Sequence, residues 1–173
     1  MSLYYYLMSS LPDLKSDEKS PITYSEFLSM CETATDKETY ETLKNLTLDS
    51  TDAPLLKEWA KSYSSFIGEL NNERRINLGK TLNKDYESDF YTKKAVTEVL
   101  SSKNPLAAEE AILKYEFDLI DSLLGMHIFD EYSLIGYAIK LKLLERKDCF
   151  TVEKGKKEFE NLFTTVQSRV YNL

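Results

Sequence analysis

The stretch NPLAAEEAILKYEFDLIDSLLGMHIFDEYSLIGYAIKLKLLER, residues 104–146, decides the fold. It reads as two helices in sequence, joined by a short Gly-Met-His turn at 125–127. Asn104 is an N-cap residue whose side chain can take an orphan backbone N–H. Pro105 suits the first helical position, where its missing N–H is not needed. In the second helix, Leu134, Ile135, Tyr137, Ala138, Ile139, Leu141, Leu143 and Leu144 make eight of the eleven residues from 134 to 144 apolar. At about 100° per residue they cover nearly the whole circumference, which predicts a helix surrounded by others rather than one lying on a surface.

Helical signals extend outward on both sides. Beyond Arg146, Thr151 is placed to cap a last helix. Phe159, Leu162, Phe163, Val166 and Val170 give that helix one apolar stripe, with Lys154, Lys156, Lys157 and Glu160 off it. Before Asn104, a modest helix carries Phe90, Tyr91, Ala95, Val96, Val99 and Leu100, preceded by a polar break at 83–88. Asp52 and Pro54 open a longer one, where Leu56, Trp59, Tyr63, Phe66 and Leu70 recur in steps of three and four, the seam of helix-on-helix packing. That seam fades at Asn71 to Arg75. Thr23-Tyr24-Ser25-Glu26 matches a capping box, and Thr35-Asp36-Lys37-Glu38 repeats the signal, so two short helices start there. The opening Leu3-Tyr4-Tyr5-Tyr6-Leu7-Met8 is too short for periodicity to separate strand from helix. The expectation is an all-α, multi-helix bundle in one domain over 1–173. In it, an apolar segment at 1–22 packs on the core and a C-terminal helical core spans 104–171.

Composition agrees. Five Gly and four Pro are few for 173 residues, against a turn-rich all-β fold. A net charge of −7 lacks the basic footprint of a general nucleic-acid binder, although Arg74-Arg75 is a local basic pair. Cys31 and Cys149 lie far apart with no CxxC spacing, which predicts free buried thiols in a reducing cytoplasm rather than a zinc site. The apolar runs fall short of the ~20 residues a membrane span needs, and the N-terminus lacks the basic region of a signal peptide. A cytoplasmic protein is expected.

No residue set converges on catalysis. Gly79-Lys80-Thr81 echoes a phosphate loop, but the motif needs Gly where Arg74 stands, so a helix end is expected there. His127, the only histidine, can pair with Asp130 as an acid–base couple, yet no nucleophile or cofactor motif accompanies them. At a helix C-terminus it is expected to meet free carbonyls and the helix dipole. Glu110, Lys114, Asp118 and Asp121 share one side of their helix, with i,i+4 pairing expected for Glu110–Lys114 and Lys114–Asp118. Glu109 and Glu116 instead fall inside the apolar arc of Ile112, Leu119, Ile120 and Leu123. Glu109 is expected in the open first turn. Glu116 calls for a buried ion pair, with Lys140, Lys142, Arg146 or Arg74-Arg75 as the cation. No metal, cofactor or small-molecule substrate is implied.

Several segments together resemble a small bacterial family encoded beside V-type ATP synthase genes. They are Tyr4 to Leu14, the Trp59 helix through Glu73-Arg74-Arg75 and Leu78-Gly79, and above all Asn104 to Gly155. In the last, the match rests on Asn104-Pro105-Leu106, Glu109, Asp118, Asp121, Leu123, His127, Phe129-Asp130, Leu134, Tyr137, Lys140-Leu141, Leu144-Glu145-Arg146 and Glu153-Lys154-Gly155. The second half of that family is similar to the central-stalk cap of the V-type ATPase, the helical component between rotor ring and central shaft. This chain is roughly half as long as that cap, so there is room for only part of its fold. The resemblance implies a non-catalytic, cytoplasmic subunit, peripheral to the inner membrane, that couples central shaft to membrane rotor ring in a proton- or sodium-translocating enzyme. A transient adaptor or assembly factor for the same complex is the alternative. Candidate protein-contact residues are Glu110, Asp118 and Asp121 on one face and Arg74, Arg75 and Lys80 on another.

Overall fold

The structure, a computed structural model, describes residues 3–80, 89–149 and 152–171. Among them it contains eight helices and no strand: α1 (Leu3–Ser10), α2 (Tyr24–Glu32), α3 (Lys37–Asn45), α4 (Pro54–Asn77), α5 (Phe90–Leu100), α6 (Pro105–Leu124), α7 (Glu131–Asp148) and α8 (Val152–Tyr171). The class is all-α. The expected break at 83–88 and the cap at Thr151 lie outside the described residues.

Local chemistry sets most helix starts. Thr23 and Glu26 form a capping box, the Glu26 carboxylate accepting from the Thr23 N–H at 2.7 Å. Asn104 accepts from the Ala107 N–H at 2.8 Å, with Pro105 as the first residue of α6. The start of α3 departs by one residue from expectation. Asp36, not Thr35, is the N-cap and takes the Thr39 N–H at 2.9 Å, while the Thr35 hydroxyl donates back to the Cys31 carbonyl. A carboxylate is the stronger acceptor for an orphan N–H, and Thr35 already has a partner at the end of α2. The N-terminal segment is helical, and its Leu7 joins the core with Leu14 from the following loop.

α7 is the axis of the bundle. Leu134, Ile135, Ala138, Ile139, Leu141, Leu143 and Leu144 are all buried, and the helix touches α1, α2, α3, α4 and α6. Gly136 brings α6 close: a Cβ there would stand 2.8 Å from Leu124 Cδ1. A second, smaller core of Phe66, Leu70, Val96, Val99 and Ile112 joins α4, α5 and α6. α4 spans both cores through a ladder of stacked rings, Trp59–Tyr63 at 5.3 Å, Tyr63–Phe66 at 6.4 Å and Phe66–Tyr115 at 4.3 Å. The i, i+4, i+7 spacing of the first three follows from one helix face.

The core ends in α4 where the sequence seam fades, but towards the C-terminus it stops short of the sequence-based expectation. α4 runs on past its last buried residue, Asn72, and its final turns are exposed. At the other end, the packed core closes with α7 instead of reaching residue 171, because every side chain from Glu153 to Arg169 of α8 is exposed. An apolar stripe shows that a helix has something to bury, not that its own chain supplies the cover.

Candidate functional site

The α6–α7 hairpin gathers most of the singled-out polar residues. Glu116 is fully buried between the two cores, and Arg146 from the last turn of α7 meets it with both guanidinium arms, at 2.9 Å and 2.5 Å. Of the four cation sources the sequence allowed, this is the one used. Burial pushes the Glu116 carboxyl above its ordinary value, and the forked hydrogen bonds and charge of Arg146 pull it back. Tyr63 stands beside the pair, its hydroxyl pushed up first by burial and then by the Glu116 charge. Glu109 is exposed at the start of α6.

Around this pair, further polar contacts fix α7. Lys140 reaches Asp121 at 2.5 Å and lies over the Phe117 ring, 5.2 Å from its centroid. Glu145 accepts the Tyr24 N–H at 3.2 Å and pairs with Lys142 at 3.3 Å, and that ammonium sits 3.6 Å from the Tyr24 ring centroid. Lys147 donates to the Ser16 carbonyl at 2.8 Å and the Glu18 carbonyl at 3.2 Å. The Tyr137 hydroxyl donates to the Pro12 carbonyl at 3.0 Å. The loop between α1 and α2 is therefore strapped to α7 by polar bonds as well as by Leu14.

The acidic face expected on α6 is divided. Asp121 is committed to Lys140. Glu110 lines an open cavity of about 600 Å³ with Leu106, Glu109, Leu113, Arg146 and Lys147. Asp118 lines a separate groove of about 610 Å³ between α5 and α6, with Lys114, Tyr115 and Tyr91. Among the described residues Glu110–Lys114 and Lys114–Asp118 form no ion pair, in contrast to the expectation. Such pairs are worth only ~0.3–0.5 kcal/mol on an exposed helix, too little to hold two long side chains against solvent. Arg74, Arg75 and Lys80 lie at the exposed end of α4.

His127 and Gly79 both have structural roles. The His127 ring does not turn back to the last carbonyls of α6 as expected; its Nδ1 meets the Asp130 carboxylate and its face stacks on Tyr132, 4.6 Å between centroids. Asp130 is the N-cap of α7, taking the Ser133 N–H at 2.9 Å. Partial burial raises its carboxyl, but the bonds from His127 and the Ser133 N–H outweigh that and hold it below the ordinary value. Gly79 (φ 69°) ends α4, with the Gly79 N–H on the Ile76 carbonyl at 2.8 Å and the Lys80 N–H on the Arg75 carbonyl at 2.9 Å. This is the paired-bond C-terminal motif that favours glycine, not a phosphate cradle; Thr81 lies outside the described residues. Asp130→Ala is expected to cost about 1–2 kcal/mol of stability through the lost cap, and His127→Ala at most about 1. Thermal unfolding of both variants checks the order; an equal or larger loss at His127 would contradict it.

Burial pushes the Cys31 thiol up to about 12, so no thiolate forms there near neutral pH; Cys149 is free but exposed, not buried as expected, because it sits past the last packed turn at the C-cap of α7. Among the described residues no group of three or more His, Cys, Asp or Glu is placed to hold a metal ion. Among them, too, no helix is long and apolar enough to cross a membrane.

One surface escaped the sequence reading, and of a second the sequence showed the apolar stripe but not its exposure. Tyr5 of α1 packs on Phe129 at 4.7 Å, and with Tyr6, Met126 and Ile128 forms an exposed apolar patch at the α6–α7 turn. The signal was the apolar content of the turn itself, since Met126, Ile128 and Phe129 fall where loops are usually polar. The other surface is the bare stripe of α8, Phe159, Leu162, Phe163 and Val166. The chain matches no protein-family model, no curated protein and no solved structure.

Proposed function

We propose that this chain is a non-catalytic subunit of a bacterial V/A-type ion-translocating ATPase, coupling the central shaft to the membrane rotor ring from the cytoplasmic side of the inner membrane. The observation that carries the reading is how the residues of the resemblance are used. Asn104, Asp121, Asp130, Tyr137, Lys140, Glu145 and Arg146 belong to the Asn104–Gly155 pattern, and each caps a helix of the α6–α7 hairpin or makes a polar contact through it. A pattern spent on holding helices together suits a part that bears load. Torque transfer needs a stiff body, and a central helix packed on all sides by five others provides one. On this reading the fold is a shortened relative of the V-type ATPase central-stalk cap, with contacts made through Arg74, Arg75 and Lys80 at one end and Glu110 and Asp118 at the α6 surface.

An assembly factor for the same complex is the second reading, favoured by the bare stripe of α8, which suits a transient hold on a partner. Recovery of the chain with the shaft and ring subunits, when the intact complex is purified through another of its subunits, tests the first reading. Persistent absence would overturn it.

A further inference from the structure

α8 is a helix that lacks a cover. Its 20 residues make a rod about 30 Å long, and all its described side chains are exposed. A helix without tertiary contacts relies on propensity alone, which is marginal in water at this length. Phe159, Leu162, Phe163 and Val166 lie on one face with exposures of 68, 63, 55 and 51%. Covering these four would remove on the order of 500 Å² per helix, so that two such faces together bury about 1,000 Å², the lower bound for a specific pair.

We propose that α8 pairs antiparallel with α8 of a second copy of this chain. In that arrangement Phe159 lies opposite Val166 of the second copy, and Leu162 opposite its Phe163, so these four exposed side chains cover their own counterparts. The flanks match as well. Glu158 and Arg169 sit on the same edge of the stripe, and antiparallel pairing sets like edges side by side. Glu158 of one copy then stands two residues, about 3 Å along the axis, from Arg169 of the other, and symmetry repeats the pair.

Long-range charge selects the direction. Lys154, Lys156, Lys157 and Arg169 against Glu153, Glu158 and Glu160 give α8 a formal charge of +1, which leaves −8 on the remainder of a chain whose total is −7. Parallel pairing would hold two such acidic bodies side by side. Antiparallel pairing puts them at opposite ends of a ~30 Å rod, several times the screening length of ~8 Å at physiological salt. The proposal concerns the free chain and does not rest on the ATPase reading.

Sedimentation of the purified full chain from about 1 to 100 μM tests it, in the concentration range expected of an interface this small. The expected result is a rise towards twice the 20.0 kDa monomer mass. Leu162→Glu should remove the dimer while leaving the melting of the body unchanged. Glu158→Arg should weaken pairing several-fold, and adding Arg169→Glu should restore it. A chain that stays monomeric overturns the proposal and assigns the stripe to a different protein. A dimer that survives Leu162→Glu, or a charge reversal that fails to recover, also overturns it. So does rapid disulfide formation between the two exposed Cys149 residues under oxidation, since antiparallel helices keep them at opposite ends.

Discussion

Arg146→Met is expected to destabilise the fold by about 3–5 kcal/mol, the usual cost of stripping one partner from a buried ion pair. Glu116 is fully inaccessible, and Arg146 and Tyr63 are the groups that stabilise its charge. The loss should depend on pH, with a definite sign. The folded carboxyl is already raised above its ordinary value by burial, and removing the arginine raises it further. A group whose folded pKa exceeds its unfolded pKa favours the fold below the unfolded value, about 4.5, and that benefit is lost as pH rises through the folded value. The gap between the variant and the natural chain should therefore narrow as pH falls towards about 4.5 and widen towards neutrality. Denaturant unfolding at several pH values measures it. The double variant Glu116→Leu/Arg146→Met should recover most of the loss, because it leaves no buried charge unpaired. A single-variant loss below about 1 kcal/mol at neutral pH would show that the pair is solvated and not buried.

Trp59→Ala carries the second large effect, about 3–5 kcal/mol, equivalent to a fall in melting temperature on the order of 10 °C for a chain of this size. The ring is 1% exposed, opens the ladder that continues through Tyr63, Phe66 and Tyr115, and donates its Nε1–H to the Leu48 carbonyl at 3.2 Å. Two effects add: a cavity at the junction of α4 with the main core, and a carbonyl left without its donor. Trp59→Phe separates them. It keeps most of the packing and should cost only about 1–2 kcal/mol. Equal losses in the two variants would mean that the hydrogen bond, not the ring volume, holds the junction.

How far these features could be read from the sequence depended on whether the cause is local. Caps at Thr23 and Asn104 depend on three or four neighbouring residues and could be read directly. So could the burial of α7, because an all-round apolar helix leaves no face for water. The partner of Glu116 could not be read, since four cation sources lay within reach of the pattern and only the rotation of α7 against α6 selects Arg146. The same rotation takes Asp121 from the expected acidic face to Lys140. Asp36 displaced Thr35 as a cap because Thr35 was already bonded to Cys31, a competition the capping pattern does not encode. The stripe of α8 was legible and its exposure was not, since amphipathicity specifies that a face needs cover without naming what covers it.

If the chain has the proposed role as a permanent part of an ion-translocating rotary ATPase, it must stay with that complex through purification. The most direct test is to purify that complex from its native membrane through a different subunit and quantify this chain against the shaft subunit by mass spectrometry. The predicted result is a constant ratio that survives successive purification steps. A trace amount that falls with each step, in a complex that still hydrolyses ATP and translocates ions, would contradict it.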